Sequence, residues 1–338
     1  MITTGRYEEG PAATAVGVLG TGSALPSHVV TNDEVGAPAG VDHAWIHSRT
    51  GIRRRRWAKP DEATSDLAAA AGRAALEAAG VRGGELSLVI VATSTPDSPQ
   101  PPTASAVADA LGAGFGTTAF DVNAVCSGFV FALSTAERML QGTGGYGLVV
   151  GADVYSRILD PHDRRSTILF GDGAGAVVVG PARGTGRLHS TRLAGFAADR
   201  ELIQVPAGGS RLPASPQTLR DGLHYFTMNG REVRTFVAEK VAPAIGAFLD
   251  DNGVSPGDVD HFVPHQANGR MVEDLAGRVG IPADRMRATF EEYGNTGSAS
   301  VPVTLDDAAR AGALKDGDLI LLAGFGGGMA MGLTLLTW

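Results

Sequence analysis

The single cysteine of the chain, Cys126, lies in a sequence that could present a thiol as a nucleophile. An apolar stretch ends near Val122, a turn of small residues follows, and a helical apolar pattern begins at Ser127 or Gly128. This order predicts a strand, a turn and a helix, with the thiol at the helix N-terminus, where the first N–H groups favour a thiolate. Free cysteine is also a common small core residue, so the local spacing leaves both roles open.

Three other segments carry histidine, asparagine or glycine residues that thiol chemistry could use. They are PHQAN at 264–268, YGNTGSAS at 293–300 and GFGGG at 324–328. The first and third follow apolar runs, and loops at strand ends are where α/β proteins assemble their sites. Each segment alone also has a structural explanation, because a lone histidine, an Asn-Thr-Gly turn and a glycine bend are all common.

The elements that would position these segments alternate between strands and helices. In order, the sequence predicts a strand at 16–19, a helix at 64–80, a strand at 88–92, a helix at 103–111, and strands at 148–151 and 176–180. The apolar runs at 86–92 and 148–152 have counterparts at 259–264 and 319–324. This repetition indicates an α/β structure that is duplicated within the chain, and residues 1–14 are predicted to be a loose tail.

Together and in this order, the motifs closely resemble the β-ketoacyl-acyl carrier protein synthase III family of the thiolase-like superfamily. The resemblance covers nearly the whole chain, and its further motifs are GTGSALP at 20–26, WIHSRTGI at 45–52, FGDGAG at 170–175 and MNGREV at 228–233. It implies a thiolase-like fold with duplicated α/β halves in an αβαβα layered arrangement. We place the half with the nucleophile at 1–185 and the half with the histidine and asparagine at 186–338.

The resemblance implies that Cys126, His265 and Asn295 are catalytic. Cys126 would attack an acyl-CoA thioester and keep the acyl group, and the N–H groups of Cys126 and Gly327 would form the oxyanion hole. His265 and Asn295 would donate hydrogen bonds to the thioester carbonyl of malonyl-acyl carrier protein and stabilise the enolate formed as carbon dioxide leaves. The expected reaction is a decarboxylative Claisen condensation that starts fatty acid or polyketide synthesis, with acyl-CoA as a substrate and no cofactor.

Five further residues match family positions for binding the two substrates. Trp45, Arg49 and Arg164 would hold coenzyme A, because indole and guanidinium groups can enclose adenine and arginine binds phosphate. Asn268 would meet the pantetheine arm, and Arg270 would contact the acidic carrier protein. For two of these residues a structural role is an open alternative to binding. Trp45 could be a core residue, and Arg270 could be an ordinary solvated residue.

Two positions depart from the family pattern near the acyl pocket. Gln100 stands where an aromatic residue usually caps the pocket of the partner subunit, and Arg234 stands where phenylalanine usually lies near the substrate tunnel. Two explanations are open. The changes could be neutral drift, or they could alter the acyl specificity toward a group larger or more polar than acetyl, as in family members of secondary metabolism. The family architecture and the proline-rich loop 96–102 predict a homodimer.

Composition excludes several other classes of protein. The net charge of -8 argues against a nucleic-acid partner, although the arginines at 53–56 could form either a solvated loop or a phosphate anchor.

No apolar run approaches the ~20 residues that span a bilayer, and no signal segment is evident, so we expect a cytoplasmic protein with no membrane partner. His43 and His47 have the spacing of a metal pair but no third ligand nearby, and we expect no metal.

Two other functions use the same residues. An acyltransferase could pass the acyl group from Cys126 to an oxygen or nitrogen nucleophile of a natural product, with His265 as the general base. Asn295 would then be less necessary, so its presence favours condensation. A catalytically inactive scaffold is the third possibility, against which the intact set of Cys126, His265 and Asn295 argues.

Overall fold

The computed structural model describes residues 15–338, so the predicted tail at 1–14 lies outside the described residues. The strands are β1 Val16–Ala24, β2 His28–Thr31, β3 Arg54–Trp57, β4 Leu86–Ala92, β5 Thr118–Val122, β6 Tyr146–Asp153, β7 Gly173–Pro181, β8 Arg187–Gly195, β9 Ile203–Gln204, β10 Thr227–Met228, β11 His261–Pro264, β12 Leu319–Gly326 and β13 Ala330–Thr337. The helices are α1 Asn32–Gly36, α2 His43–Thr50, α3 Thr64–Ala79, α4 Thr103–Ala110, α5 Gly128–Thr143, α6 Pro216–Arg220, α7 Gly230–Phe236, α8 Ala242–Asp251, α9 Gly269–Val279, α10 Phe290–Tyr293 and α11 Ser300–Arg310. From residue 15 onward, no helix has the length and apolar character needed to cross a membrane.

Two mixed sheets repeat one strand order. The first sheet has the order β1-β7-β6-β4-β5, in which β6 and β4 are parallel and β7 is antiparallel to both of its neighbours. The second sheet has the order β8-β13-β12-β11, with β12 and β11 parallel and β13 antiparallel to both of its neighbours. The repeated pattern is the predicted duplication, and the boundary placed at 185/186 falls in the connection between β7 and β8, although the exact limits of the two halves stay a prediction.

The sheets and helices pack in five layers. Phe129 of α5 lies in one buried apolar cluster with Ile90 of the first sheet and Leu322 of the second, and Leu305 of α11 belongs to the same cluster. The helices α5 and α11 therefore form the middle layer. Leu76 of α3 packs on the outer face of the first sheet, while α8 and α9 cover the outer face of the second. This arrangement confirms the thiolase-like αβαβα fold.

The first strand is longer than the sequence predicts. Its apolar residues end at Leu19, but β1 continues through the glycines to Ala24. A Cβ on Gly20 would lie 2.4 Å from the backbone nitrogen of Ala79, so glycine lets α3 approach the strand backbone closely. The Gly-Thr-Gly segment is thus part of a strand packed against a helix, which explains why these glycines do not end β1.

Candidate active site

Cys126 lies at the turn that joins β5 to α5, as the sequence predicts. A single 3-10 turn, Val125–Ser127, leads directly into α5, and 6% of the cysteine surface is exposed. Val125 has a φ of 46°, which a β-branched residue rarely adopts. A strained backbone turn therefore immediately precedes the cysteine, as is common at functional sites.

The turn after β12 brings glycine backbone against Cys126. A Cβ on Gly326 would lie 2.8 Å from the Cβ of Cys126 and 3.1 Å from its Sγ, so a larger residue does not fit. Burial and Asp153 raise the pKa of the Cys126 thiol, while the backbones of Gly327 and of Cys126 itself act to lower it. The backbone of these two residues therefore lies beside the thiol, and the role of their N–H groups as the oxyanion hole stays a prediction.

The expectation that the helix N-terminus lowers the pKa of the Cys126 thiol is wrong for this structure. Burial, followed by the negative charge of Asp153, raises that pKa to about 12, against the smaller opposing effect of hydrogen bonds from Gly327, Tyr155 and the Cys126 N–H. The desolvation cost of the thiolate outweighs the attraction of the first helical turn. Formation of the thiolate therefore needs a group that accepts the proton.

His265 directly follows β11 and is buried, with 3% of its surface exposed. Its Nδ1 lies 2.7 Å from Oγ of Ser300, and its ring meets the ring of Phe325 edge-on at 5.4 Å. Burial lowers the pKa of His265 to about 3, so the imidazole is neutral near pH 7. When a neutral imidazole accepts a hydrogen bond from the Ser300 hydroxyl at Nδ1, its single proton lies on Nε2. The ring can then donate a hydrogen bond from Nε2.

Asn295 is fixed by both its backbone and its side chain. Its backbone N–H donates to the carbonyl of Leu169 at 2.8 Å, and its carbonyl accepts from the N–H of Gly171 at 3.0 Å. The side-chain Oδ1 accepts from the N–H of Gly297 at 2.9 Å. Because the oxygen serves this turn, Nδ2 is the group with which Asn295 can donate to a substrate.

Cys126, His265 and Asn295 line one cavity with a volume of about 230 Å³. The lining also includes Arg49, Asn268 and Arg234, three residues that the sequence places at the substrates. The other residues of the lining are mainly apolar and come from both halves of the chain: Thr50, Leu169, Phe170, Ile203, Phe226, Met228, Gly230, Val233, Phe236, Val237, Ala267, Met271, Phe325 and Gly326. An apolar pocket with a few convergent polar groups is the usual form of a small-molecule site.

The predicted coenzyme A residues form a contiguous group, of which Arg49 lines the cavity. The guanidinium carbons of Arg49 and Arg164 lie 4.2 Å and 5.7 Å from the centre of the Trp45 ring. Trp45 is half-buried and also packs against the apolar cluster that contains Ile46, so it has a packing role as well. Arg49 reaches the cavity, which connects this cluster with the catalytic residues.

Asn268 and Arg270 lie at the start of α9. Asn268 caps the helix, because its Oδ1 accepts from the N–H of Met271 at 3.1 Å, and it also lines the cavity. The exposed Arg270 donates to the carbonyl of Ser48 at 3.3 Å and lies 3.7 Å from Glu273. Binding of pantetheine by Asn268 and of a carrier protein by Arg270 stay predictions.

The two acyl-pocket residues lie in different places. Arg234 lies in α7 and lines the cavity with Cys126. Gln100 lies in the exposed loop between β4 and α4, where its carbonyl accepts from the hydroxyl of Ser98 at 2.9 Å. Within the described part of this chain, Gln100 does not line the cavity of Cys126. Its contribution to the pocket of a partner subunit stays a prediction.

The run of arginines at 53–56 is not simply a solvated loop, because Arg54–Trp57 forms β3 and Arg55 is buried, while a phosphate-binding role of the exposed arginines stays a prediction. Arg55 lies in β3 with none of its surface exposed, and it donates to Oδ1 of Asn32 at 2.8 Å and to the carbonyl of Ile168 at 2.7 Å. Burial lowers the pKa of Arg55 to about 10. Its neighbour Arg54 points outward and pairs with Glu292 at 2.6 Å. Alternate residues of a strand point to opposite faces, which separates these two arginines.

The rings of His43 and His47 are stacked with their centres 5.6 Å apart, and Nδ1 of His43 lies 3.3 Å from Nδ2 of Asn32. Within residues 15–338, no group of three histidine, cysteine or acidic residues is arranged to hold a metal ion. The two histidines therefore stack on each other, and His43 also contacts the buried Asn32.

Sequence reasoning missed Asp153, the last residue of β6, and Tyr155, which begins the turn after it, although both influence the pKa of the Cys126 thiol. Asp153 is fully buried and Tyr155 has 1% of its surface exposed. Ser94 joins the two residues, because its Oγ lies 2.9 Å from the Tyr155 hydroxyl and 3.0 Å from Oδ1 of Asp153. The available signal was an aspartate directly after the apolar run 148–152, at the end of a predicted strand.

Known protein families match the segments of this chain that contain Cys126, His265 and Asn295. The family model for 3-oxoacyl-[acyl-carrier-protein (ACP)] synthase III matches residues 120–195, and the model for its C-terminal part matches residues 249–338. The acetoacetyl CoA synthase NphT7 of Streptomyces sp. (strain CL190) is 57% identical and aligns with 95% of this chain and 98% of its own length. The β-ketoacyl-[acyl-carrier-protein] synthase III of Symbiobacterium thermophilum is 42% identical over 96% of this chain and 98% of its own.

Solved structures give the same result. The 3-oxoacyl-(acyl carrier protein) synthase III of Pseudomonas aeruginosa PAO1 superposes with a TM-score of 0.87 at 37% identity and covers 96% of this chain and 98% of its own. The priming β-ketosynthase of the R1128 polyketide pathway has a TM-score of 0.89 at 36% identity and covers 98% of both chains. With relatives of this identity along almost its whole length, the chain belongs to the 3-oxoacyl-[acyl-carrier-protein] synthase III family.

Proposed function

We propose that this protein is a synthase that condenses an acyl group from acyl-CoA with a malonyl thioester, with loss of carbon dioxide. The observation that carries the proposal is the presence of Cys126, His265 and Asn295 in one apolar cavity. A nucleophile accounts for covalent acyl transfer, and two neutral hydrogen-bond donors account for enolate stabilisation. No separate cofactor is needed, because acyl-CoA and the malonyl thioester supply every group that is transferred.

In the first half-reaction, Cys126 attacks the acyl-CoA carbonyl. The N–H groups of Cys126 and Gly327 would be the donors for the oxyanion of the tetrahedral intermediate, since Gly327 follows the glycine that packs against Cys126. Collapse of the intermediate expels coenzyme A and leaves a thioester on Cys126. Trp45 and Arg164, which lie beside the cavity residue Arg49, would hold the nucleotide, with arginine on its phosphates.

In the second half-reaction, His265 and Asn295 bind the carbonyl oxygen of the malonyl thioester. The neutral His265 donates from Nε2 and Asn295 from Nδ2, so two donors stabilise the enolate oxygen when carbon dioxide leaves. The enolate carbon then attacks the acyl carbonyl on Cys126 and forms a 3-oxoacyl thioester. Asparagine cannot act as a base, so its place in the cavity favours condensation over transfer to an oxygen or nitrogen nucleophile.

We propose acyl-CoA and malonyl-acyl carrier protein as the partners, with Arg270 in contact with the carrier protein. The relative at 57% identity is named for a CoA product, acetoacetyl-CoA, so malonyl-CoA is the second acceptor to test. A homodimer that supplies Gln100 to the pocket of the partner subunit is also part of the proposal. The cytoplasmic location stays a prediction.

The test combines intact-protein mass with product analysis. Acyl-CoAs of increasing length are incubated with the protein, and one acyl adduct is expected, absent in Cys126→Ala. Malonyl-acyl carrier protein or malonyl-CoA is then added, and carbon dioxide and a product longer by two carbons are expected. His265→Ala and Asn295→Ala should keep the adduct and lose about 10²–10³ in condensation rate, as is typical when one oxyanion donor is removed.

Two results would overturn the proposal. An acyl adduct that passes to an alcohol or amine acceptor without release of carbon dioxide would identify the acyltransferase alternative. The absence of any adduct on Cys126 with every acyl-CoA would leave the inactive scaffold as the explanation.

A further inference from the structure

Asp153 is a buried acid that the condensation scheme does not use. It is the last residue of β6, and none of its surface is exposed. Its Oδ1 accepts from the backbone N–H of Ser94 at 2.8 Å and from the hydroxyls of Ser94 and Thr95, both at 3.0 Å. Its Oδ2 accepts from the N–H of Ser298 at 2.8 Å. Burial of a carboxyl group is costly, and here each oxygen holds the backbone of a different segment.

The segment held by Oδ2 is the turn that follows Asn295. Residues Gly297–Ala299 form a 3-10 turn that leads into α11, and the N–H of Gly297 donates to Oδ1 of Asn295 at 2.9 Å. The next N–H along the chain, that of Ser298, is the one that Asp153 accepts. Two successive N–H groups of the same turn therefore connect the Asn295 side chain with the buried carboxyl group.

Gly297 fits closely between Asp153 and Tyr155. Its φ of 60° lies in the left-handed region that favours glycine. A Cβ at this position would lie 2.3 Å from Oδ2 of Asp153 and 2.5 Å from Cε2 of Tyr155. The Tyr155 ring is itself held, because it stacks on Phe170 with centres 4.4 Å apart. A shift of Asp153 would therefore displace the glycine whose N–H holds Asn295.

The Asn295 backbone is held separately from its side chain. Its N–H and carbonyl are bonded to Leu169 and Gly171, which fixes the backbone but leaves the side-chain amide free to turn. In the described part of the chain, that amide receives one hydrogen bond, from the Gly297 N–H to Oδ1. This bond decides that the oxygen serves the turn and that Nδ2 remains for the substrate.

We propose that Asp153 is a positioning residue for Asn295, which holds the turn at 297–298 so that the Asn295 amide offers Nδ2 to the malonyl thioester. Asp153 is not among the described residues that line the cavity of Cys126, so it acts through Asn295. The inference rests on the proposed function, because it assigns a role in the second half-reaction.

Acyl loading separates this role from a general loss of structure. The negative charge of Asp153 helps to raise the pKa of the Cys126 thiol. Removal of that charge should therefore leave loading unchanged or make it faster. Condensation should become slower, because Asn295 loses the support of the turn. A variant that is merely less well folded would lose both half-reactions together.

The test measures both half-reactions for Asp153→Asn. Loading by acetyl-CoA is followed by intact mass, and condensation by the release of carbon dioxide from malonyl-CoA and from malonyl-acyl carrier protein. Asparagine offers a single oxygen, so one of the backbone N–H groups of Ser94 and Ser298 loses its acceptor. We expect condensation to fall about 10-fold or more, toward the loss of about 10²–10³ that follows removal of an oxyanion donor.

Asp306→Asn is the matched control. Asp306 lies in α11 with 1% of its surface exposed, and it accepts from the hydroxyls of Thr21 and Ser23 at 2.9 Å and 2.6 Å. It is not among the described residues that line the cavity of Cys126. Loading and condensation should both be unchanged in this variant, although it also alters a buried, hydrogen-bonded aspartate.

A double-variant cycle decides whether Asp153 acts through Asn295. In a protein that already carries Asn295→Ala, Asp153→Asn should cause no further loss of condensation, because the amide to be positioned is absent. A loss of the same size in both backgrounds would overturn the proposal. Unchanged condensation in Asp153→Asn alone, or a loss of loading equal to the loss of condensation, would overturn it as well.

If Asp153→Asn does not fold, Ser94→Ala takes its place in the same cycle. It removes one hydroxyl bond to Asp153 and keeps the backbone N–H bonds of Ser94 and Ser298. The expected loss of condensation is then about 3-fold, in line with one hydrogen bond, and it should vanish in the Asn295→Ala background. A loss that persists in that background would contradict the proposal.

A crystal structure of the variant distinguishes failure of this inference from failure of the proposed function. If the unsubstituted protein releases no carbon dioxide from either malonyl thioester, the proposed function fails, and the structure of Asp153→Asn or Ser94→Ala still tests the positioning. We expect the 2.9 Å bond from the Gly297 N–H to Oδ1 of Asn295 to be lengthened or broken. An unchanged bond and an unmoved Asn295 amide would contradict the inference.

Discussion

Oγ of Ser300 lies 2.7 Å from Nδ1 of His265 and connects the first turn of α11 with the residue after β11. This contact orients the imidazole, and when Ser300 donates to Nδ1 the ring carries its proton at Nε2 and can donate from there. We predict that Ser300→Ala lowers the condensation rate about 10-fold or more, because the buried ring loses the partner that sets its tautomer. Acyl loading of Cys126 should stay unchanged.

Loading is measured by intact mass and condensation by the release of carbon dioxide. Ser87→Ala, which removes an exposed serine that hydrogen bonds to the carbonyl of Tyr146, is the control. Equal losses of loading and condensation in Ser300→Ala would show that the hydroxyl supports the whole cavity and not the histidine alone.

The Cys126 thiol should be unreactive at neutral pH in the free protein. Burial and Asp153 raise its pKa to about 12, so the neutral thiol persists far above the usual value of about 8.5. Alkylation by iodoacetamide should therefore increase about 10-fold per pH unit between pH 8 and 10. The same cysteine in the unfolded protein, where the rate should level off above about pH 8.5, is the control. A plateau below pH 9 in the folded protein would show that the helix N-terminus outweighs burial.

The glycine at 326 should be indispensable for acyl loading. A methyl group there would lie 2.8 Å from the Cβ of Cys126, so Gly326→Ala must displace either the nucleophile or the turn that carries Gly327. We expect a loss of at least about 100-fold in loading, comparable with loss of an oxyanion donor. Gly246→Ala in α8, where an added Cβ meets nothing within 4 Å, is the control. Loading at the unsubstituted rate would mean that the turn can shift without cost.

Arg55 should be important for stability and not for ligand binding. Lysine cannot reach both Asn32 and Ile168 with one ammonium group, and each buried partner left unpaired costs about 1–3 kcal/mol. We therefore predict that Arg55→Lys lowers the free energy of unfolding by at least about 1 kcal/mol in urea titrations. Arg53→Lys, at an exposed ion pair with Glu291, should change it by less than about 1 kcal/mol. Equal stability of the two variants would contradict the buried role.

The sequence predicts the features that depend on local order. The elbow at Cys126 follows from a strand, a turn and a helix that are adjacent in the chain, and α5 begins at Gly128 as expected. The duplicated apolar runs predict two similar sheets. His265 and Asn295 follow from motifs matched to a family, and the fold brings them to the same cavity as the cysteine.

Properties that depend on burial could not be predicted in this way. The position of Cys126 at a helix N-terminus is visible in the sequence, but the desolvation that raises its pKa arises from distant segments. Four consecutive arginines suggest a solvated stretch, yet strand pairing directs Arg55 inward. The backbone donors that hold the buried Asp153 come from Ser94 and Ser298, which are distant from it in the sequence.

The bond from Ser298 to Asp153 joins residues separated by 145 positions in the chain. Contacts between such distant segments form late in folding, because a long loop must close before they contribute. The cavity is complete only when this contact exists, since Cys126 comes from one half and His265 and Asn295 from the other. Recovery of acyl loading during refolding therefore reports the final docking of the two halves, whereas recovery of helical signal reports only their separate formation.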